Sequence, residues 1–263
     1  MKLYLRTAFL FSLVIFLSHC AGSAGGTGSS VDYSDEIGAN GFPTPRALFA
    51  RYVNALGGET ALRSHTSRRQ VGTFFFADFG ISGQAEVLQA EPNLMLQVID
   101  LSGFGTFNTG YNGQVGWTMD PTSGNVVLQD AMLNDLLSQA EFYLPLTYAS
   151  IYPQQETVGT AEVNGQVMYQ MTLIDRLGKE AQAYFSVETG LLARIDTLFN
   201  GVAGPARSIT DFLEYREFDG VRVPMHLNLN QAGQEFQLQF ETVTFDNARP
   251  EEFATPAAIE ELL

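Results

Sequence analysis

Few residues in this chain are equipped for catalysis. Of the three histidines, His19 lies in an apolar leader, leaving His65 and His226. His226 falls on the polar face of an alternating stretch, the setting of a solvated side chain. His65 follows a short helical stretch, where the helix dipole favours a cation and no chemistry is implied. The close carboxylate pairs are Asp35-Glu36, Glu251-Glu252 and Glu260-Glu261. Adjacent side chains on a helix or strand point apart, so none of these makes an acid/base pair. No HExxH, G-x-S-x-G or P-loop occurs, and Gly103-Phe104-Gly105 lacks the third glycine of a dinucleotide loop. Acidic residues are many, yet no D-x-D-x-D-G calcium loop is present. The expectation is a chain with no catalytic residue, no metal and no cofactor. An enzyme would need carboxylates joined by Tyr or Arg from distant strands, which spacing does not reveal. Arg68-Arg69 is the one basic spot. On a strand the two face opposite ways. The ordinary reading is solvated arginines. One turned inward could hydrogen-bond the backbone of a lid or an ester carbonyl.

The remaining chemistry is covalent. Cys20 is the only cysteine, so a disulfide within the chain and a cysteine-based zinc site are both excluded. Lys2 and Arg6 precede an apolar run, Thr7 to Leu17, too short to span roughly 30 Å of hydrocarbon but suited to the core of an export signal. The placement of Cys20 resembles a bacterial lipobox, in which the cysteine becomes the lipidated N-terminus after cleavage. Leu17 and Ser18 fit that pattern; His19 departs from it, since a small residue is usual there. The alternative is a plain cleaved signal, ending near Ala24, that discards Cys20. Ala21 in place of Asp resembles the outer-membrane sorting signal. The expected organisation is a lipoprotein-type signal peptide at 1–19, a flexible tether at 20–41 and one domain at 42–263. The tether is Gly/Ser/Ala-rich and then acidic, and would let the domain roam about 25 Å from the membrane surface.

Composition narrows the class of domain. The chain has 263 residues, 45% hydrophobic and 16% charged, which is globular rather than disordered. Its formal net charge is −15, and loss of Lys2 and Arg6 with the signal makes it −17. Such a surface repels phosphate backbones, so nucleic acid is not a partner.

The elements follow from periodicity. Thr44-Pro45 reads as an N-cap with proline at the first helical position. Leu48, Phe49, Tyr52, Val53 and Leu56 then share a helical face, and Gly57-Gly58 ends it. A short turn of helix is expected over Glu59 to Ser64. Beyond it the period becomes two, as in Val167, Tyr169, Met171, Leu173 and in Val221, Val223, Met225, Leu227, Leu229. These are strands with one wet face, hence antiparallel. Turn signals recur at Asn112-Gly113, Asp120-Pro121, Asn164-Gly165, Thr189-Gly190, Asn200-Gly201, Asp219-Gly220 and Ala232-Gly233, the connections of hairpins. The pattern predicts a meander of about ten strands, which at that size curls or closes. One amphipathic helix interrupts it at Asp130–Tyr143, capped by Asp130 and blocked by Pro145. A short helix is expected at 257–263.

Two amphipathic helices cannot cover both faces of so large a sheet, so a half-barrel with its concave face capped by helix is the consistent arrangement. Its apolar interior is expected to be lined by Phe74, Phe76, Leu96, Val98 and Trp117, with Met132, Leu136 and Leu137 closing it as a lid. Enclosing an acyl chain of about 300–400 Å² would contribute roughly 7–10 kcal/mol before association costs. The same side chains could instead fill a close-packed core. The apolar run at 94–99 has both faces apolar, so that part of the sheet should meet helix on one side and another segment on the other. The loop Leu101–Phe107 is read as a hairpin with its Phe side chains turned inward.

The ordered set RALFARYVNALGG, SRRQVGTFFF, YNGQVGWTMDPTSG, YFSVETGLLARI and YREFDGVRVPMHLNL resembles the outer-membrane lipoprotein-sorting (LolA/LolB-like) superfamily over about residues 45–255. The resemblance implies an incomplete antiparallel β-barrel with a helical lid and a cavity for acyl chains. With Cys20, it implies a monomeric, non-catalytic lipoprotein on the periplasmic face of the outer membrane, or alternatively a soluble periplasmic protein. Its partner would be an acyl chain or a lipidated protein. A second reading is a scaffolding envelope lipoprotein that shares the fold without a ligand; a third is an unrecognised enzyme.

Overall fold

The computed structural model describes residues 34–201 and 204–263. The signal peptide, Cys20 and most of the tether lie outside the described residues. The elements in chain order are α1 (Pro45–Leu56), α2 (Glu59–Leu62), β1 (Ser67–Phe76), β2 (Ile81–Ala90), β3 (Leu94–Leu101), β4 (Gly105–Tyr111), β5 (Gly116–Asp120), β6 (Gly124–Leu128), α3 (Asp130–Ala140), α4 (Leu144–Ile151), β7 (Gln154–Val163), β8 (Gln166–Ile174), β9 (Glu180–Ser186), β10 (Leu192–Gly201), β11 (Gly204–Phe218), β12 (Val221–Gln231), β13 (Gln234–Phe245) and α5 (Ala257–Glu260). A 3-10 turn, Pro250–Phe253, precedes α5.

All thirteen strands belong to one antiparallel sheet, in the order β6-β5-β4-β3-β2-β1-β13-β12-β11-β10-β9-β8-β7. The sheet is not closed: β6 and β7 are its two edges, and α3 and α4 are the connection between them. The two ends of the chain meet in the middle, where β1 pairs with β13. The hairpin turns form where expected. Asn164-Gly165, Asp219-Gly220 and Ala232-Gly233 each place two successive residues at positive φ, which suits a two-residue turn. The strand count is three above the sequence estimate. Asn200-Gly201 is not a turn, since β10 runs through both residues.

The helices depart from expectation at the lid. Thr44 caps α1 as predicted, its side chain accepting from the Ala47 N–H. Asp130 does not cap α3; it occupies the first position at φ 49, and no side chain caps that end. Pro145 does not merely stop a helix. Proline lacks only an N–H that a first turn leaves unpaired, and here it opens α4. The lid is therefore two helices rather than one.

Curl follows from simple lengths. β4 and β10 are separated by seven inter-strand steps, about 34 Å if flat. α3 is about 16 Å long, yet it packs against both. Only a sheet folded around the helices allows this. The face toward them is the inner face. On it, α1 lays Leu48, Phe49, Tyr52, Val53 and Leu56 into the main core with Phe74, Phe76, Phe185, Leu227 and Leu238. Each such side chain contributes on the order of 1.5–3 kcal/mol by burial.

The folded body begins ahead of residue 42. Glu36 accepts from Arg46 at 2.9 Å and from Thr44 at 3.0 Å, Ile37 bridges to Pro43, and Asn40 donates to the Thr157 carbonyl at 2.7 Å. The acidic end of the tether is thus pinned by α1 and β7.

Candidate functional site

The register assigns each candidate to a face. On β1, Phe74 and Phe76 point inward and join the main core. Their row continues through Gly83 and Leu101 on β2 and β3. Leu136 lies 3% exposed on α3. With Met132, Leu133 and Leu137 it covers a second, smaller apolar cluster of Met95, Tyr111, Leu128 and Ala140. Gly116 is where α3 comes down on the sheet: a Cβ there would meet Leu133 Cδ1 at 2.7 Å. These five candidates therefore sit on the helix side, divided between two clusters.

Leu96, Val98 and Trp117 do not. Leu96 pairs with Leu88 and Gly110, Val98 with Glu86 and Asn108, and Gly110 with Trp117, all on the outer face. Trp117 is fully buried because its ring packs flush on Gly110, where a Cβ would come within 2.3 Å. The C-terminal segment covers this face. Phe253 and Ile259 are buried, Asn112 Nδ2 donates to Thr255 Oγ1 at 2.8 Å, and Arg69 Nη2 donates to Glu252 at 2.7 Å. The two-sided apolar run on β3 thus meets helix on one side and the C-terminus on the other. Alternation alone could not say which side of a doubly covered strand faces the lid. Phe107 points inward and is buried, as expected, while Phe104 is 40% exposed at the loop tip.

Between the two inner clusters runs a polar layer that hydrophobic patterning passed over. Gln70, Gln97, Thr109 and Thr118 occupy one row across β1, β3, β4 and β5, with Val87 between the glutamines. Arg68 and Gln89 pair in the next row. Gln70 and Gln89 are fully buried, and Arg68 and Gln97 are 2% exposed. Arg68 is therefore no surface arginine. Its Nη2 donates to Gln89 Oε1, and its guanidinium carbon lies 5.8 Å from the centre of the Phe142 ring. Gln89 Nε2 in turn donates to the Gln139 carbonyl of α3 at 2.9 Å, so the arginine reaches the lid through a glutamine. Among the described residues Arg68 has no carboxylate within ion-pair distance, and its Nε–H is buried without an acceptor. Burial, opposed only by nearby Tyr52, lowers its pKa to about 9, which still leaves it charged at neutral pH. The Oε1 atoms of Gln70 and Gln97 are also buried without donors. The one hint in the sequence was a polar inward phase, Arg68 and Gln70, heading a strand that ends in Phe74 and Phe76.

A second polar group fastens α3 at its middle. Asp135 is 6% exposed and takes the Lys179 ammonium, the Asn200 N–H at 2.8 Å and Asn200 Nδ2 at 3.0 Å. Asn134 Nδ2 donates to Asp175 at 2.9 Å. The lid is held to β10 and to the turn before β9 by these bonds.

His65 is buried, stacked on Phe245, with Nδ1 2.8 Å from Asp246 and Nε2 3.2 Å from the Asp219 carbonyl. It ties the segment after α2 to the ends of β11 and β13. Among the described residues no group of three or more His, Cys, Asp or Glu could hold a metal, and no helix is long and apolar enough to cross a membrane.

No protein-family model matches this sequence, and no curated protein matches it. Solved structures do. A LolA superfamily protein from Nitrosomonas europaea superposes with a TM-score of 0.55 at 11% identity, over 81% of this chain and 98% of that one. A DUF1329 family protein from Desulfovibrio piger gives 0.53 at 11% identity, over 80% and 96%. The fold is LolA-like, an open antiparallel sheet wrapped around helices.

Proposed function

We propose that this chain is a membrane-anchored lipoprotein of the bacterial cell envelope, on the periplasmic face of the outer membrane, that binds an acyl chain or a lipidated protein without catalysis. One observation carries this reading. α3 seals an apolar cluster that is separate from the main core, and polar bonds at Asp135 and Gln139 hold it there. A helix fastened by a few polar bonds over its own apolar compartment is suited to lift and reseat on a hydrocarbon chain. That cluster packs Met132, Leu136 and Leu137 against Met95 and Tyr111; methionine and leucine repack readily around varied ligands. The likeness in fold to a LolA superfamily protein agrees with this reading.

The test is the lipid content of protein purified from membranes. Mass spectrometry of the wild type should find bound acyl lipid. Leu136→Glu should remove it while leaving the β-sheet circular dichroism unchanged. Retained lipid in that variant refutes the lid assignment, and lipid-free wild type refutes the function.

The close packing of α1 and α4 on the main core favours a second reading, a scaffold that uses the fold without a ligand. Under it, substitutions in exposed loops would abolish partner recovery and Leu136→Glu would alter stability alone.

A further inference from the structure

A buried guanidinium without a counter-ion is expensive. The effective penalty for desolvating an ion is several kcal/mol, and proteins ordinarily meet it with a carboxylate. This chain has 29 acidic residues to 14 basic ones, so acids are not scarce. Yet Arg68, at the centre of the sheet, is given a neutral glutamine and an aromatic ring, and its Nε–H points to no acceptor. Arg69, one residue on and outside, is paired with both Glu86 and Glu252. The contrast lies within one dipeptide.

We propose that Arg68 is the anchor for the ionised carboxylate of a single-chain fatty acid, an inference that rests on the acyl-binding reading above and names the head group it takes. The carboxylate accepts from the guanidinium and supplies the missing negative charge. The hydrocarbon tail runs into the compartment under α3, whose sheet wall begins at Met95 in the same row as Arg68 and Gln89. Charge decides between carboxylate and phosphate. One guanidinium balances one negative charge. A phosphate monoester carries about −1.5 to −2 at neutral pH, and the surplus would be buried unpaired. A neutral ester leaves Arg68 as it is.

The experiment is equilibrium dialysis of the delipidated full chain against oleate and 1-oleoyl lysophosphatidate, each below its critical micelle concentration, and methyl oleate below its solubility limit. The wild type should bind oleate at least tenfold more tightly than methyl oleate, and more tightly than the lysophosphatidate. Arg68→Met, which fills the same space without charge, should bind oleate and its methyl ester equally. Equal affinities in the wild type, or a preference that survives in Arg68→Met, overturns the carboxylate site and leaves acyl binding intact. Tighter binding of the lysophosphatidate overturns the choice of head group. Binding of none of the three overturns both this site and the proposed function. The wild-type comparison requires no variant, so it decides the matter even if Arg68→Met does not fold.

Discussion

Asp246 illustrates how a single side chain in this protein joins distant parts of the chain. It accepts from the Thr66 N–H at 2.6 Å, from Thr66 Oγ1 at 3.1 Å and from His65 Nδ1 at 2.8 Å, tying the start of β1 to the end of β13. Burial pushes its carboxyl up, but the hydrogen bonds from Thr66, His65 and Ser67 outweigh it and hold the pKa below the ordinary 3.8. A carboxyl lowered in the folded state adds stability above its unfolded pKa and loses it as pH falls through the folded value. Asp246→Asn should therefore destabilise the protein at neutral pH, by less than about 1 kcal/mol because the side chain is 44% exposed and solvent screens it. Urea melts of the two proteins should converge as pH drops below about 3.8. A constant difference across that range would exclude the carboxylate as its source. Arg68 belongs to the same scale. Its position next to Arg69 is plain in the sequence, whereas the lack of a carboxylate partner among the described residues is visible only in the folded chain.

At the scale of elements, the lid is the part most open to test. α3 carries no side-chain cap at its start, so its position owes more to cross-chain bonds than to its own ends. Asp135 provides three of these, to Lys179 and twice to Asn200. Asp135→Ala leaves an ammonium and a backbone N–H unpaired. Removing one partner of a buried pair costs about 3–5 kcal/mol, and the partial exposure of Lys179 places this site at the low end. The amides of α3 should exchange with deuterium faster in this variant, while those of β1 and β13 keep their protection. Uniform loss of protection would mean that α3 opens only with the whole sheet and is no lid. Its partner α4 was invisible to periodicity. Leu144–Ile151 is apolar nearly all round and short, so it presents no stripe to count.

For the whole molecule, anchoring is the prediction that stands apart from the fold. Cys20→Ser should move the protein from the membrane fraction to the soluble periplasmic fraction after osmotic shock, and persistent membrane association would refute lipid attachment at that residue. The fold itself was largely legible. Period-two alternation marked β8 and β12, Asn164-Gly165 and Asp219-Gly220 marked their hairpins, and Thr44-Pro45 with Gly57-Gly58 bracketed α1. These are local preferences, written into residues a few positions apart, and they survive in any tertiary setting. The site was legible only in part. Phe74, Phe76, Met132, Leu136 and Leu137 lie on the helix side, whereas Leu96, Val98 and Trp117 lie on the outer face, because the C-terminal segment buries that face too and removes the wet side that would orient the strand. The sequence by itself determined that the chain is a meander of antiparallel strands, where most of its hairpins turn, and that so large a sheet curls. Tertiary structure alone decided which face of β3 and β5 meets the lid, and that Arg68 stands without a counter-ion, since both depend on segments brought together from opposite ends of the chain.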